Sequence, residues 1–266
     1  MTNETAASRA TMQGDLWGRH PQTWATSLEP QMDPLYTATL DALEPLDGMR
    51  LLDAGCGAGL ALSLAADRGA TVAGVDASES LLDVARSRVP DAELIVGSVE
   101  ALPHDPSTFD VVCAFNSIQY AIDPAVAVAE LARVCRSGGK VAIGIWGDQV
   151  RCETEALFAR LRSLAPPPPG TAAPLACSER GVVEGLLAKA GLDVIGGGEA
   201  QCPFTFDDLD HAWNAHSSAG PLQKLIDITD IDTVRSVVVD VLEADRKPDG
   251  TLRQDNVFRY VTATKP

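Results

Sequence analysis

Between residues 50 and 146 short apolar runs alternate with stretches whose apolar residues recur at helical spacing. "MRLLDA", "ATVAGVD", "AELIVG", "FDVVCAF" and "KVAIGIW" read as strands. The third is short, and the fourth is apolar enough to be buried on both faces. "LALSLAADRG" reads as a helix with Gly69 as its stop. The next helix starts at Ser78, a good N-cap, and puts Leu81, Leu82, Ala85 and Val89 on one face. Asp123 before Pro124 opens a third, with Val128, Leu131 and Cys135 aligned, and "SGG" at 137–139 is expected to end it. Repeated βαβ units predict a parallel, doubly wound sheet. Ligands bind such sheets at the carboxyl ends of the strands, so informative residues should follow each strand.

After Trp146 the rhythm loosens. "RCETEALFARLRSL" predicts a helix, and "APPPPG" breaks it as an extended spacer, with a polyproline ligand as the sharper alternative. "SERGVVEGLLAKAGL" predicts a capped helix with Val183, Leu186, Leu187 and Ala190 aligned. "LDVIGGGEAQCPFTF" reads as a strand interrupted by glycines, residues 207–246 as two or three helices, and "NVFRYVTATK" as a closing strand. The segment before residue 45 reads as helical and aromatic, placed to fold over the ligand edge. No internal repeat is found.

Composition narrows the partners. The net charge is −16 and no run of Lys or Arg occurs, which argues against nucleic acid and against an anionic membrane surface. A small molecule is the expected partner. No apolar run reaches a membrane span, and the first thirty residues lack an apolar signal core, so the cytoplasm is expected. The six cysteines show no metal-ligand spacing and read as reduced thiols.

"LLDAGCGAGL" at 51–60 carries the chemistry. Its glycines, Gly55, Gly57 and Gly59, are spaced G-x-G-x-G. Leu60 stands where a dinucleotide fingerprint would have its third glycine. Asp53 precedes them, Asp76 ends the next strand, and "GSVEALPHDPSTFDVV" and "ELARVCRSGGKVAIGIW" follow. Together these segments resemble the class I S-adenosylmethionine-dependent methyltransferases, and over about residues 35–147 the ubiquinone-biosynthesis type that acts on small molecules. Ser98 stands where that family usually has an aspartate, and Ser137 where it has a proline.

The resemblance implies an α/β fold with a doubly wound, mostly parallel seven-stranded Rossmann-like sheet. It divides the chain into a helical cap (1–45), a cofactor-binding core (46–204), a helical lid (205–256) and a final strand (257–266). It implies S-adenosyl-L-methionine as cofactor, S-adenosyl-L-homocysteine as product and a small-molecule acceptor. Cofactor contacts are expected from Trp24 and Tyr36 in the cap, and from Asp53, Gly55, Cys56, Gly57 and Gly59 after the first strand. Asp76 and Ala77 follow the second strand, Ser98, Val99 and Glu100 the third, and Phe115, Asn116 and Ser117 the fourth.

Gln119, Tyr120 and Trp146 are expected to face the acceptor. Trp17, Trp24 and Tyr36 are either core packing or a cover over the sulfonium. The apolar lid residues Trp213, Leu222, Leu225 and Ile226 hint at an apolar or aromatic acceptor. No metal site is expected. No catalytic base is singled out; His20, His216 and Tyr120 are the candidates, while His104 reads as structural or solvent-exposed. Two other classes stay open: a non-methylating protein that keeps the pocket, and an NAD(P)-dependent oxidoreductase, whose glycine spacing does not fit. The oligomeric state is open, a homodimer among the options.

Overall fold

The computed structural model describes residues 5–165 and 176–266. The proline run lies mostly in 166–175, so the spacer and its polyproline alternative fall outside the described residues.

Helices α1 (Ala6–Trp17), α2 (Pro21–Thr23) and α3 (Asp33–Leu43) lead into β1 (Arg50–Ala54), α4 (Leu60–Ala66), β2 (Thr71–Asp76), α5 (Glu79–Arg88) and β3 (Glu93–Val96). Then come β4 (Phe109–Phe115), α6 (Pro124–Val134), β5 (Cys135–Trp146), α7 (Thr154–Leu164), α8 (Val182–Lys189), β6 (Asp193–Gln201) and β7 (Phe204–Phe206). Helices α9 (Leu209–Ser217), α10 (Gly220–Ile228) and α11 (Ile231–Ala244) precede β8 (Leu252–Gln254) and β9 (Val257–Thr264).

Seven strands form one sheet in the order β3-β2-β1-β4-β5-β9-β6. β1 to β5 pair in parallel, and β9 runs antiparallel between β5 and β6. The switch point falls between β1 and β4, where strand order reverses and a crevice opens.

Strand alternation assigns the two faces. Leu51, Val111 and Cys113 bury on one side, Leu52, Val112 and Ala114 on the other. Helix α3 lies against β5, β6 and β9 with Leu35, Leu40 and Leu43 fully buried, while α6 and α8 cover the opposite face. All six cysteines are free and buried.

Three local readings differ from the structure. The third helix stops at Val134, and Ser137–Gly139 lies in the irregular start of β5, where Gly138 turns at φ +73°. The glycines of β6 do not break the strand but shift its register against β9 between Val194 and Gly196: a Cβ on Gly197 would lie 2.5 Å from the Tyr260 carbonyl oxygen, and one on Gly198 would lie 2.7 Å from the Tyr260 hydroxyl. They let the edge strand lie close to β9. Third, the helical insertion between β6 and β9 does not face the crevice. It backs the cap: Gly220 sits under the Trp17 indole, Arg19 pairs with Asp227 at 2.7 Å, and Gln31 Nε2 donates to Thr205 O.

Candidate cofactor site

The loop after β1 is shaped by three glycines with positive φ (+88°, +54° and +80° at Gly55, Gly57 and Gly59), a region other residues enter at a cost. Each has a different neighbour. A Cβ on Gly55 would stand 2.3 Å from Ser117 Cβ, so Gly55 lets the ends of β1 and β4 meet. Gly57 faces Trp24 Nε1 and Glu29 Oε1, 3.5 and 3.7 Å from where its Cβ would be. Gly59 packs on Ala85 of α5.

The strand ends are tied together. Asp76 accepts from Gly57 N and Ser78 N, both at 2.9 Å, which pins the loop to the end of β2. Ser117 Oγ donates to Ala54 O at 2.6 Å. Asn116, at φ +48°, donates its backbone N–H to Gly144 O at 2.8 Å. After β3, Ser98 Oγ accepts from Glu100 N, and the Glu100 carboxylate accepts from Ile122 N and Asp123 N at 3.0 Å each.

The cap closes this edge from above. α1 seats Gly14 and Gly18 directly on Ala77 and Ser78, where side chains would not fit. Trp17 meets Trp24 edge-on at 4.8 Å and Tyr120 at 5.5 Å; Tyr36 meets Phe115 at 4.9 Å. Glu29 reaches down to Arg88 at 2.6 Å, and Arg88 also holds Ala58 O and Ala25 O. The half-open cavity beneath it holds about 930 Å³ of atom-free space, with the open solvent at its mouth included.

Fourteen of the fifteen expected cofactor residues line this cavity: Trp24, Tyr36, Asp53, Gly55, Cys56, Gly57, Asp76, Ala77, Ser98, Val99, Glu100, Phe115, Asn116 and Ser117. Tyr120 lines it too. Gly59 does not, because its close contact is with α5. Gln119 sits in the turn after β4, its Nε2 toward Asn116 Oδ1. Trp146 points into a cluster of Phe158, Phe204 and Phe258 instead, since antiparallel pairing sets it opposite Phe258. His20 is exposed and makes no capping bond at the start of α2. His216 is buried in the insertion, bonded to Gln254 at 3.1 Å. His104 packs edge-on to Phe109 with its side chain nearly covered. Trp213, Leu222 and Leu225 are core residues, not cavity walls, so they carry no hint about the acceptor.

The cavity also uses Arg9, Gln13, Glu29 and Met32, which no motif marked. The signal for α1 was there: Gly14 and Gly18, one helical turn apart, give it a face without side chains.

The electrostatics are those of a water-poor, acidic seat. Burial pushes Asp53 well above the usual carboxylate range, and neighbouring Asp76 and Glu29 add to it. Burial also raises Asp76, against the pull of its backbone donors, and Glu29, against Arg88. Tyr120 is pushed up to about 12 by burial, and burial also raises Tyr36 well above its usual value. Both therefore stay protonated at neutral pH and donate hydrogen bonds rather than take protons.

On the wall, Asp53 Oδ1 and Trp24 Nε1 are buried with no hydrogen-bond partner among the described residues. Such atoms are uncommon in folded proteins and mark where a ligand's polar groups belong. An acceptor and a donor beside a glycine cradle fit the ammonium and carboxylate of an amino acid. The residues present thus suit the amino-acid arm of S-adenosylmethionine.

In fold, and in the place of this crevice, the chain is similar to the class I methyltransferases. Residues 52–143 match the family of the methyltransferase domain. The ubiquinone biosynthesis O-methyltransferase of Paracidovorax citrulli is 38% identical over 117 residues, covering 42% of this chain and 49% of that protein. The demethylmenaquinone methyltransferase of Renibacterium salmoninarum is 35% identical over 104 residues, 39% of this chain and 44% of that protein. The chain thus spans about half the length of the relatives it matches. Among solved structures, the YcgJ protein from Bacillus subtilis superposes with a TM-score of 0.62 at 19% identity, covering 86% of this chain and 97% of that one.

Proposed function

We propose that the protein transfers a methyl group from S-adenosyl-L-methionine to a small-molecule acceptor. The observation that carries this is the unpaired, buried Asp53 oxygen beside Gly55 and Gly57, within the segment that matches the methyltransferase domain.

When bound, the cofactor supplies a methyl already activated on a sulfonium and leaves as S-adenosyl-L-homocysteine. The chain's own part is then binding, orientation and exclusion of water. Asp53 Oδ1 accepts from the ammonium and Trp24 Nε1 donates to the carboxylate. Asp76 spends two of its lone-pair directions on Gly57 and Ser78 and keeps others for the ribose hydroxyls. Ser98 and the Val99 N–H, on the cavity wall after β3, would meet the adenine. Trp17, Trp24, Tyr36 and Phe115 shield the reacting end, and aromatic faces favour a cation. Tyr120, on the wall beside Trp17, is placed to orient the acceptor.

The same proposal keeps the division into cap (1–45), core (46–204), lid (205–256) and final strand (257–266), with the lid acting on the site only through the cap that it backs. It also keeps a cytoplasmic setting: among the described residues no helix is long and apolar enough to cross a membrane, and the buried free thiols suit a reducing compartment.

The test is calorimetric titration of folded, ligand-free protein with S-adenosylmethionine, S-adenosylhomocysteine and NAD. Micromolar binding of the first two and none of NAD is expected. Absence of adenosyl-ligand binding would overturn the proposal.

A further inference from the structure

Four acidic residues line the cavity: Glu29, Asp53, Asp76 and Glu100, the last with its carboxylate oxygens taken by Ile122 N and Asp123 N. Asp53 and Asp76 come with the glycine loop and the end of β2. Glu29 is added by the turn between α2 and α3, and nothing in the glycine motif asks for it. Its side chain is 3% exposed. Its Oε2 meets Arg88 at 2.6 Å, while Oε1 lies 3.4 Å from Leu60 N and 3.7 Å from where a Cβ on Gly57 would stand. Glu29 is on the cavity wall and Arg88 is behind it. The ion pair is therefore a dipole with its negative end toward the cavity. Asp53, 2% exposed, adds an oxygen without a partner. A desolvated acidic wall with an unused acceptor is built for a cationic ligand.

On the methyltransferase reading, substrate and product forms of the cofactor share their adenosine and amino-acid parts. They differ by one methyl and one positive charge. Groups that hold the shared parts cannot tell them apart, but a fixed charge in a water-poor cavity can. We infer that Glu29 is a specificity residue that raises the affinity for S-adenosylmethionine relative to S-adenosylhomocysteine, so that spent cofactor leaves the site. This inference rests on the methyltransferase reading.

The experiment compares dissociation constants for both ligands in wild type, E29Q and E29D. E29Q keeps the size of the side chain and removes its charge; E29D keeps the charge. In E29Q the ratio of the two constants shifts about ten-fold against S-adenosylmethionine, as expected for one charge acting across a partly desolvated site. In E29D the ratio stays near wild type. Sinefungin, which carries an ammonium in place of the sulfonium, loses affinity in E29Q along with S-adenosylmethionine. Melting curves report folding. Should E29Q unfold because Arg88 is left without its carboxylate, the E29Q/R88Q double variant removes both charges together and still shifts the ratio the same way. An unchanged ratio in a folded E29Q, or equal losses for both ligands, overturns the role of Glu29 while leaving the methyltransferase reading intact. Wild type that binds neither ligand overturns that reading itself, and the inference with it.

Discussion

Two buried polar clusters in this molecule look alike on paper and differ in one respect. Under the helical insertion, His216 Nε2 and Thr154 Oγ1 both meet Gln254 Oε1 at 3.1 Å, Gln254 Nε2 donates to Asp245 at 2.9 Å, and Thr154 N donates to Asn256 Oδ1. There the polar atoms answer one another. At the glycine loop, Asp53 Oδ1 and Trp24 Nε1 find no partner among the described residues. The first cluster is architecture, pinning α7, α9 and β8 together. The second is an incomplete set whose missing members come with a ligand. Histidine, the residue type best suited to proton transfer, is in the wrong cluster for catalysis, and satisfaction of hydrogen bonds shows this where residue type does not.

The largest test removes the centre of the satisfied cluster. His216→Ala leaves a hole between Phe204 and Phe206 and strips Gln254 of a partner, so about 3 kcal/mol of stability is lost. Denaturant unfolding measures it, and ligand affinity in the folded fraction stays as in wild type. A pH series sharpens the point. Burial lowers His216 from 6.5 to about 4, so the folded protein keeps it neutral while the unfolded chain protonates. The contribution is full above pH 6.5 and is lost as pH falls through 6.5 towards 4, by up to about 3 kcal/mol. That extra acid sensitivity is absent in His216→Ala; an equal pH slope in both proteins would show that His216 is not the titrating group.

Asp53→Asn acts the other way round. Replacing a buried, like-charge-crowded carboxyl weakens S-adenosylmethionine binding by about 100-fold, the worth of a charged hydrogen bond. The same change stabilises the ligand-free protein by about 1 kcal/mol. The sign follows from the raised value of Asp53: the unfolded chain gives up this proton near the ordinary carboxylate value while the folded protein holds it, so the cost grows as pH rises from about 4 up to the folded value and is level above it. The stabilisation is therefore greater at neutral pH than near pH 4. Equal losses of binding and stability would merge the two clusters into one kind.

Trp24→Phe is the mildest. It keeps a ring against Trp17 but removes the orphan N–H together with part of the indole's bulk. Affinity falls about five-fold, on the scale of one hydrogen bond, while the melting temperature drops by only a few degrees. Unchanged affinity would mean that the indole N–H has no ligand partner.

The legible part of the fold is the part where local pattern and global topology agree. Apolar strand runs, the Ser78 and Asp123 caps and the stop at Gly69 needed no partner to be read, and the structure has them. So too with the loop residues from Asp53 to Ser117 that line the crevice. The misplacements have a common cause, which is contact between distant segments. Trp146 ends its strand where an acceptor contact was expected, but its neighbour Phe258 lies far along the chain. Trp213, Leu222 and Leu225 have the composition of a ligand wall and the burial of a core. Gly59 belongs to a cofactor motif yet its close contact is the side chain of Ala85 on α5. Glu29 was invisible because a lone carboxylate in "SLEP" has no local signature; its meaning comes from Arg88 and Gly57.

The place of β9 has a consequence for how the chain is made. β6 ends at Gln201, and the strand that joins it to β5 starts only at Val257. During synthesis, at roughly 5–20 residues per second, β6 waits on the order of several seconds with no hydrogen-bonded neighbour in the sheet. Its three consecutive glycines and its acidic residues, Asp193 and Glu199, make it a poor template for pairing with other chains in that interval. The same glycines that later fit against Tyr260 thus also keep the nascent edge from sticking.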